Sequence, residues 1–166
     1  MALSLYDVSV PVFTRSLKAL DGFLGKAAAH AEAGKIEPSV FLQARLAPDM
    51  FPLVRQAQLA ADFAKGGAGR LAGVELPKYP DDEKTFADLS ERIAKTLGFL
   101  GSLNKSQFDG AETRDIVMSI RGEERRFVGQ PFLLHNAMPN FFFHLTTAYA
   151  ILRHNGVELG KMDFIG

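Results

Sequence analysis

Residues 131–156, PFLLHNAMPNFFFHLTTAYAILRHNG, decide the fold of this chain. They contain three of the four histidines and a dense run of aromatic side chains. From Asn140 to Arg153 the spacing predicts a helix with two adjacent apolar stripes: Met138, Phe142, Leu145, Tyr149 and Leu152 on one, and Phe141, Ala148 and Ile151 on the other. A helix that is apolar on more than one stripe is buried from several sides.

Two polar side chains interrupt the apolar surface of this helix. Asn140 and His144 are four residues apart, so one lies above the other on the same face. These two residues are the candidates for a functional site in this stretch. Arg153, further along the same helix, is expected to pair with a carboxylate or with carbonyls at a helix end.

Composition limits the classes of function. A chain of 166 residues suits one domain, and we assign residues 1–166 to it. Lys and Arg together number 19, as do Asp and Glu, so the net charge is zero. Nucleic acid is not an expected partner, because its binding needs clustered positive charge. Neutrality leaves little repulsion against self-association, and we expect a homodimer.

The location is expected to be the cytoplasm. The chain contains no cysteine, which excludes disulfides, Cys-based zinc sites and thiol nucleophiles. Its first ten residues lack a basic flank and include Asp7, unlike a signal peptide. No apolar run approaches the roughly 20 residues of a membrane helix, so no membrane partner is expected.

Three further long helices precede the final one. The first is predicted from about Leu5 to about Glu32, and the second from near Asp49 with a core stripe of small residues. The third begins at Thr85, whose Thr-x-x-Asp pattern is typical of a helix start. Alternating apolar residues between Asp115 and Val128, with a turn at Gly122, predict a β-hairpin. The fold class is therefore an all-α four-helix bundle with a small hairpin between the third and fourth helices.

The sequence offers one candidate set of metal ligands, and that set contains a single strong donor. Helix positions i and i+4 place two ligands on one face, so Asn140 and His144 with Asp49 from the second helix would supply one nitrogen and two oxygen donors. The competing interpretation is a buried histidine that is hydrogen-bonded to an amide or carboxylate. His135 and His154 are interpreted as structural. His135 joins His144 in a site only if the helix breaks at Pro139.

The run HLTTAYAILRHNG, residues 144–156, resembles the end of the fourth helix of the DinB/YfiT-like superfamily. The pattern there is His-x-x-x-His followed by Leu-Arg-x-x-Gly. The wider phrasing, ARLAPDMFPLVRQ with PNFFFHLTTAYAILRHNGVELGK, resembles a bacterial domain-of-unknown-function family inside that superfamily. The resemblance implies a bundle of the DinB type, often dimeric. It also implies a metal held by three histidines, one near the start of the second helix and two on the fourth, and thiol cofactors such as glutathione, mycothiol or bacillithiol as substrates.

This sequence departs from the superfamily pattern at two of the three histidines. Asn140 stands in place of one, and the nearest polar candidates in the second helix are Asp49 and Gln56. Only His144 matches the pattern.

Three functions are compatible with these observations, and we favour the first. The first is a DinB-like homodimer with a degenerate metal site, which needs no cofactor and serves as a binding or interaction module. The second is a divergent enzyme, a thiol transferase or hydrolase that uses a divalent metal at Asp49, Asn140 and His144. The third is a small-molecule carrier, for which the fourteen phenylalanines would supply an apolar interior. The candidate pocket comprises Asp49, Asn140, His144 and Arg153.

Overall fold

The computed structural model describes residues 3–120 and 122–166. Its body is a bundle of four long helices, α1 (Val10–Ala33), α3 (Leu53–Ala72), α4 (Phe86–Gly101) and α6 (Met138–His154). Short helices connect and flank them: α2 (Pro38–Leu42), α5 (Gly129–Phe132) and α7 (Lys161–Ile165). A hairpin of β1 (Asp115–Ile120) and β2 (Glu123–Val128) lies between α4 and α6. The predicted fold class is confirmed. None of the helices in residues 3–120 and 122–166 has the length and apolarity to span a membrane.

Local signals determine where α4 starts. The Thr85 hydroxyl accepts a hydrogen bond from the Asp88 amide at 3.1 Å, and the Asp88 carboxylate accepts one from the Thr85 amide at 2.9 Å. These reciprocal bonds satisfy amide groups that have no partner inside the helix. The predicted start of the third long helix is therefore confirmed.

The second long helix, α3, begins later than predicted. Asp49 lies in an exposed turn, which the Met50 amide closes on the Ala47 carbonyl at 3.0 Å, and α3 starts at Leu53. Pro52 explains the difference. A proline disfavours helical geometry at the residue before it, here Phe51, so the chain stays extended until Pro52 has been passed.

Helices α3 and α6 pack closely and run in opposite directions. A stripe of buried small residues on α3 permits the close approach: Ala57, Ala61, Ala64, Gly67 and Ala68. A Cβ added to Gly67 would lie 3.1 Å from the Ala137 Cβ at the start of α6. At the other end of the contact, Gln56 meets His144. The packing of small residues thus brings the candidate histidine against α3.

No helix break occurs at Pro139. Met138 is helical, with φ −64° and ψ −48°, and the distortion lies just before it in a π-helical segment, Leu133–Ala137. Proline has no N–H to donate, and its ring needs space one turn back in the helix. The wider π-helical turn before Pro139 leaves room for the ring and tolerates the missing hydrogen bond. His135 in this segment is exposed, so the structure does not bring it to His144.

The hairpin and the C-terminal segment pack on the bundle. Strands β1 and β2 are antiparallel, with Asp115 opposite Val128, and Phe127 packs on Phe132 with ring centroids 5.7 Å apart. Gly122 has φ +84° in the turn, which confirms the turn predicted there, and Arg121 lies outside the described residues. The C-terminal helix α7 docks on α1, where the Lys26 ammonium lies 2.6 Å from the Asp163 carboxylate.

Candidate functional site

His144 is a buried residue of α6 with one strong polar partner. Only 8% of its surface is exposed. Its Nδ1 lies 2.7 Å from Oε1 of Gln56, and Nε2 of Gln56 donates to the Phe51 carbonyl at 3.0 Å. Gln56 is itself only 1% exposed. The three groups form a hydrogen-bonded chain from the turn before α3 to the middle of α6.

This chain sets the tautomer of the imidazole. The bond to the Phe51 carbonyl directs the NH₂ group of Gln56 away from His144, so the amide oxygen faces Nδ1. An amide oxygen only accepts hydrogen bonds, which assigns the proton to Nδ1 and a lone pair to Nε2. Nε2 has no hydrogen-bond partner in residues 3–120 and 122–166, yet it is not among their fully buried unpaired atoms. The open edge of the ring is therefore an acceptor.

Aromatic rings enclose the imidazole on two sides. Phe63 of α3 stacks on it, with centroids 5.5 Å apart and planes 15° from parallel. Phe143 presents its edge, with centroids 5.3 Å apart and an 83° angle. Burial, and secondarily the positive charge of Arg55, lower the pKa of His144 to about 4. The ring is therefore neutral at physiological pH.

The structure does not assemble the other predicted site residues around His144. Asn140 donates from Nδ2 to the carbonyl of Asn136 at 2.8 Å and makes no hydrogen bond to His144. Asp49 is exposed in the turn before α3. Arg153 is also exposed and forms no ion pair within the described residues. It follows His144 by nine residues, which places it about 180° around the helix.

Gln56 is the contact that sequence reasoning did not assign. The resemblance named it only as one of two polar candidates in the second helix. Its signal is spacing, because Gln56 and Phe63 are seven residues apart, or two helical turns, and so present their side chains on one face. Both touch the His144 ring. Among the described residues, no three or more His, Cys, Asp or Glu side chains converge where they could hold a metal ion.

The chain has similarity to one family model and to a solved structure. Residues 5–165 match the family described as Domain of unknown function (DUF1993). The crystal structure of a DinB family member protein from Shewanella denitrificans is 44% identical, covers 98% of this chain and 92% of its own, and has a TM-score of 0.92. No curated protein matches the chain. The chain therefore belongs to the DUF1993 family, and it has the fold of a DinB family member.

Proposed function

We propose that this protein is a binding module built on a DinB-type bundle, in which a hydrogen bond between His144 and Gln56 takes the place of a metal centre. The observation that supports this is the 2.7 Å contact between Nδ1 and Oε1, held in place by the Phe51 carbonyl. In this proposal, Nε2 of His144 accepts a hydrogen bond from the ligand.

The donor set does not fit the metal that the fold family implies. One imidazole is present, the amide of Gln56 contacts it, and the amide of Asn140 lies one helical turn away without a bond to it. Amide oxygens are weak ligands for transition metals, which favour imidazole and thiolate. Each amide group also already donates to a backbone carbonyl, Gln56 to Phe51 and Asn140 to Asn136. A metal therefore takes no part in the proposed function.

The surroundings of His144 suit a ligand that is both apolar and a hydrogen-bond donor. An imidazole with a pKa of about 4 is a poor base, so acceptance of a hydrogen bond suits it better than proton abstraction. Phe143, whose ring contacts His144, is 55% exposed, and so is Phe51, whose carbonyl accepts the hydrogen bond from Gln56. Exposed aromatic rings beside a polar group are typical of surfaces that bind a partner or a ligand.

The alternative, a divalent-metal enzyme that uses Asp49, Asn140 and His144, predicts a different result in a metal assay. Untagged protein would be dialysed against Zn²⁺ and its metal content measured by elemental analysis. We expect well below one equivalent of zinc, with no difference between His144→Ala and the matched control His135→Ala. One equivalent that is lost only in His144→Ala would overturn the proposal.

The ligand-binding part of the proposal has its own test. Indole serves as the probe because it is apolar and donates a single N–H. We expect a titration with indole to shift the ¹⁵N resonance of His144 Nε2 in a saturable manner, with the His135 ring as the internal control. A His144 resonance that does not move up to the solubility limit of indole would count against Nε2 as the acceptor.

The proposed module is a homodimer. The net charge of zero supports self-association, because it removes long-range repulsion between copies. Light scattering coupled to size-exclusion chromatography tests this directly. A mass of about 36 kDa, twice the 18.2 kDa of one chain, is expected, and a mass of one chain at every concentration would contradict it.

A further inference from the structure

A small cavity separates α3 from the hairpin and from the segment that leads into α6. Its volume is about 180 Å³. Much of its wall is apolar and comes from Leu59, Phe63, Met118 and Phe132. An apolar cavity of about 150 Å³ is large enough to hold benzene. The cavity therefore has room for one aromatic ring or a branched aliphatic group.

Arg70 brings a positive charge to this wall without a partner. Its guanidinium makes no hydrogen bond or ion pair with residues 3–120 or 122–166, although the side chain is half-buried. Burial lowers the pKa of Arg70, and no carboxylate offsets that effect. A guanidinium nevertheless stays protonated at neutral pH. The structure thus retains a partly desolvated cation in an apolar setting.

The position of the guanidinium depends on a glycine. The Arg70 side chain folds back over Gly66, one turn earlier, and its Nη1 lies close enough to collide with a Cβ on residue 66. The side chain therefore points away from the carbonyl groups at the end of α3, which would otherwise suit a cation. Because Gly66 has no side chain, the Arg70 guanidinium can lie over the cavity.

The other charged side chain of the wall, Asp62, is neutralised by two different cations. Its Oδ1 lies 2.9 Å from the Lys65 ammonium, and its Oδ2 lies 3.0 Å from the Arg92 guanidinium. The positive charge of Arg70 is consequently not cancelled inside the cavity. Asn136 adds a side-chain amide to the same wall.

We infer that this cavity binds a small monocarboxylate with an apolar body of about the size of benzoate. The carboxylate pairs with the planar fork of Arg70, which matches two carboxylate oxygens. The apolar body lies against Phe63 and Phe132. His144 stacks on Phe63 but is not part of the cavity wall, so the inference does not depend on the proposed function of His144.

Calorimetric titration with benzoate at neutral pH tests the inference. We expect saturable binding of one benzoate per chain and binding of the neutral isostere benzamide that is weaker by about tenfold or more, since it lacks the charge-assisted bonds. Arg70→Gln is expected to cause a loss of similar size. Arg126→Gln, which alters an exposed arginine of the hairpin, is expected to leave the affinity unchanged.

A second pair of variants separates positioning of the charge from folding. Gly66→Ala keeps Arg70 but forces its flexible end to move, so benzoate binding should weaken while the helix stays intact. Gly98→Ala is the matched control, because a Cβ there meets no atom within 4 Å. His144→Ala should retain benzoate binding, which distinguishes this site from the proposed one.

Three results would overturn the inference. Equal affinity for benzoate and benzamide would show that Arg70 does not bind the carboxylate. Undiminished binding to Arg70→Gln would place benzoate elsewhere. Inorganic phosphate that displaces benzoate at equal concentration would indicate a general anion site in which the apolar wall has no part.

Discussion

At the scale of single residues, the protonation of His144 links the site to stability. The imidazole of an unfolded chain has a pKa of about 6.5, whereas in the folded protein the pKa of His144 is about 4. Between these values the unfolded state binds the extra proton, so the free energy of unfolding falls as the pH decreases from 6.5 to 4. Outside the range from pH 4 to pH 6.5, protonation of His144 does not change the free energy of unfolding further. The loss is about 3 kcal/mol at most.

Chemical denaturation at several pH values measures this effect. The wild-type protein is expected to lose more stability between pH 7 and pH 4 than His144→Gln, which cannot bind a proton there. His135→Gln, which changes an exposed histidine, should keep the wild-type slope. Parallel pH profiles for the wild-type and His144→Gln would show that His144 does not resist protonation.

The surroundings of His144 indicate which substitutions should create a metal site. Gln56 contacts His144 from α3, and Asn140 precedes His144 by one helical turn. Gln56→His combined with Asn140→His would place two more imidazoles near the first, and three nitrogens suit Zn²⁺. We expect the double variant to bind one equivalent of zinc in calorimetry and Gln56→His alone to bind it far more weakly. Failure of the double variant would mean that Asn140 does not project toward His144.

At the scale of elements, helices and strands that are specified by neighbouring residues could be predicted from the sequence, whereas contacts between distant residues could not. Thr85 with Asp88, and the alternation between Asp115 and Val128, are neighbours in the chain and predicted their elements correctly. The bond between Gln56 and His144 joins residues that are 88 positions apart. The seven-residue spacing of Gln56 and Phe63 places both on one face of α3, but it does not specify that this face meets His144, which follows from how α3 packs on α6. The sequence therefore led to a candidate pocket of Asp49, Asn140, His144 and Arg153, whereas the hydrogen-bond partner of His144 is visible only in the structure.

Substitution of glycine by alanine should have opposite effects on stability at two helical positions. A Cβ on Gly129 would collide with the Ala111 carbonyl oxygen, whose backbone cannot move aside without disturbing the turn that precedes the hairpin. Gly129→Ala should cost about 1–3 kcal/mol or more, as overpacking does. Gly98 in α4 has open space around it, so Gly98→Ala should stabilise by about 0.5–1 kcal/mol through helix propensity. Thermal unfolding of both variants measures the contrast, and equal shifts would contradict it.

At the scale of the whole molecule, one buried arginine ties three parts of the chain together. Arg92 of α4 is 2% exposed and binds Asp62 of α3 at 3.0 Å. It also binds Glu83 at 2.9 Å and the Pro80 carbonyl at 2.9 Å, both in the connection between α3 and α4. That connection has no regular secondary structure from residue 74 to residue 84. Side-chain contacts of this kind therefore hold it against the bundle.

Removal of Arg92 should be severe because it leaves buried charge behind. The Glu83 side chain is only 8% exposed and without Arg92 keeps the Gln58 amide, at 2.7 Å, as its partner, so loss of the charge pair costs about 3–5 kcal/mol, whereas an exposed pair contributes little. We expect Arg92→Met to lower the free energy of unfolding by that amount and to make residues 74–84 more sensitive to proteolysis. Arg125→Met, which breaks the exposed pair with Glu123, should change stability by about 0.5 kcal/mol or less. If Arg92→Met unfolds at the same denaturant concentration as Arg125→Met, the arginine does not hold the connection in place.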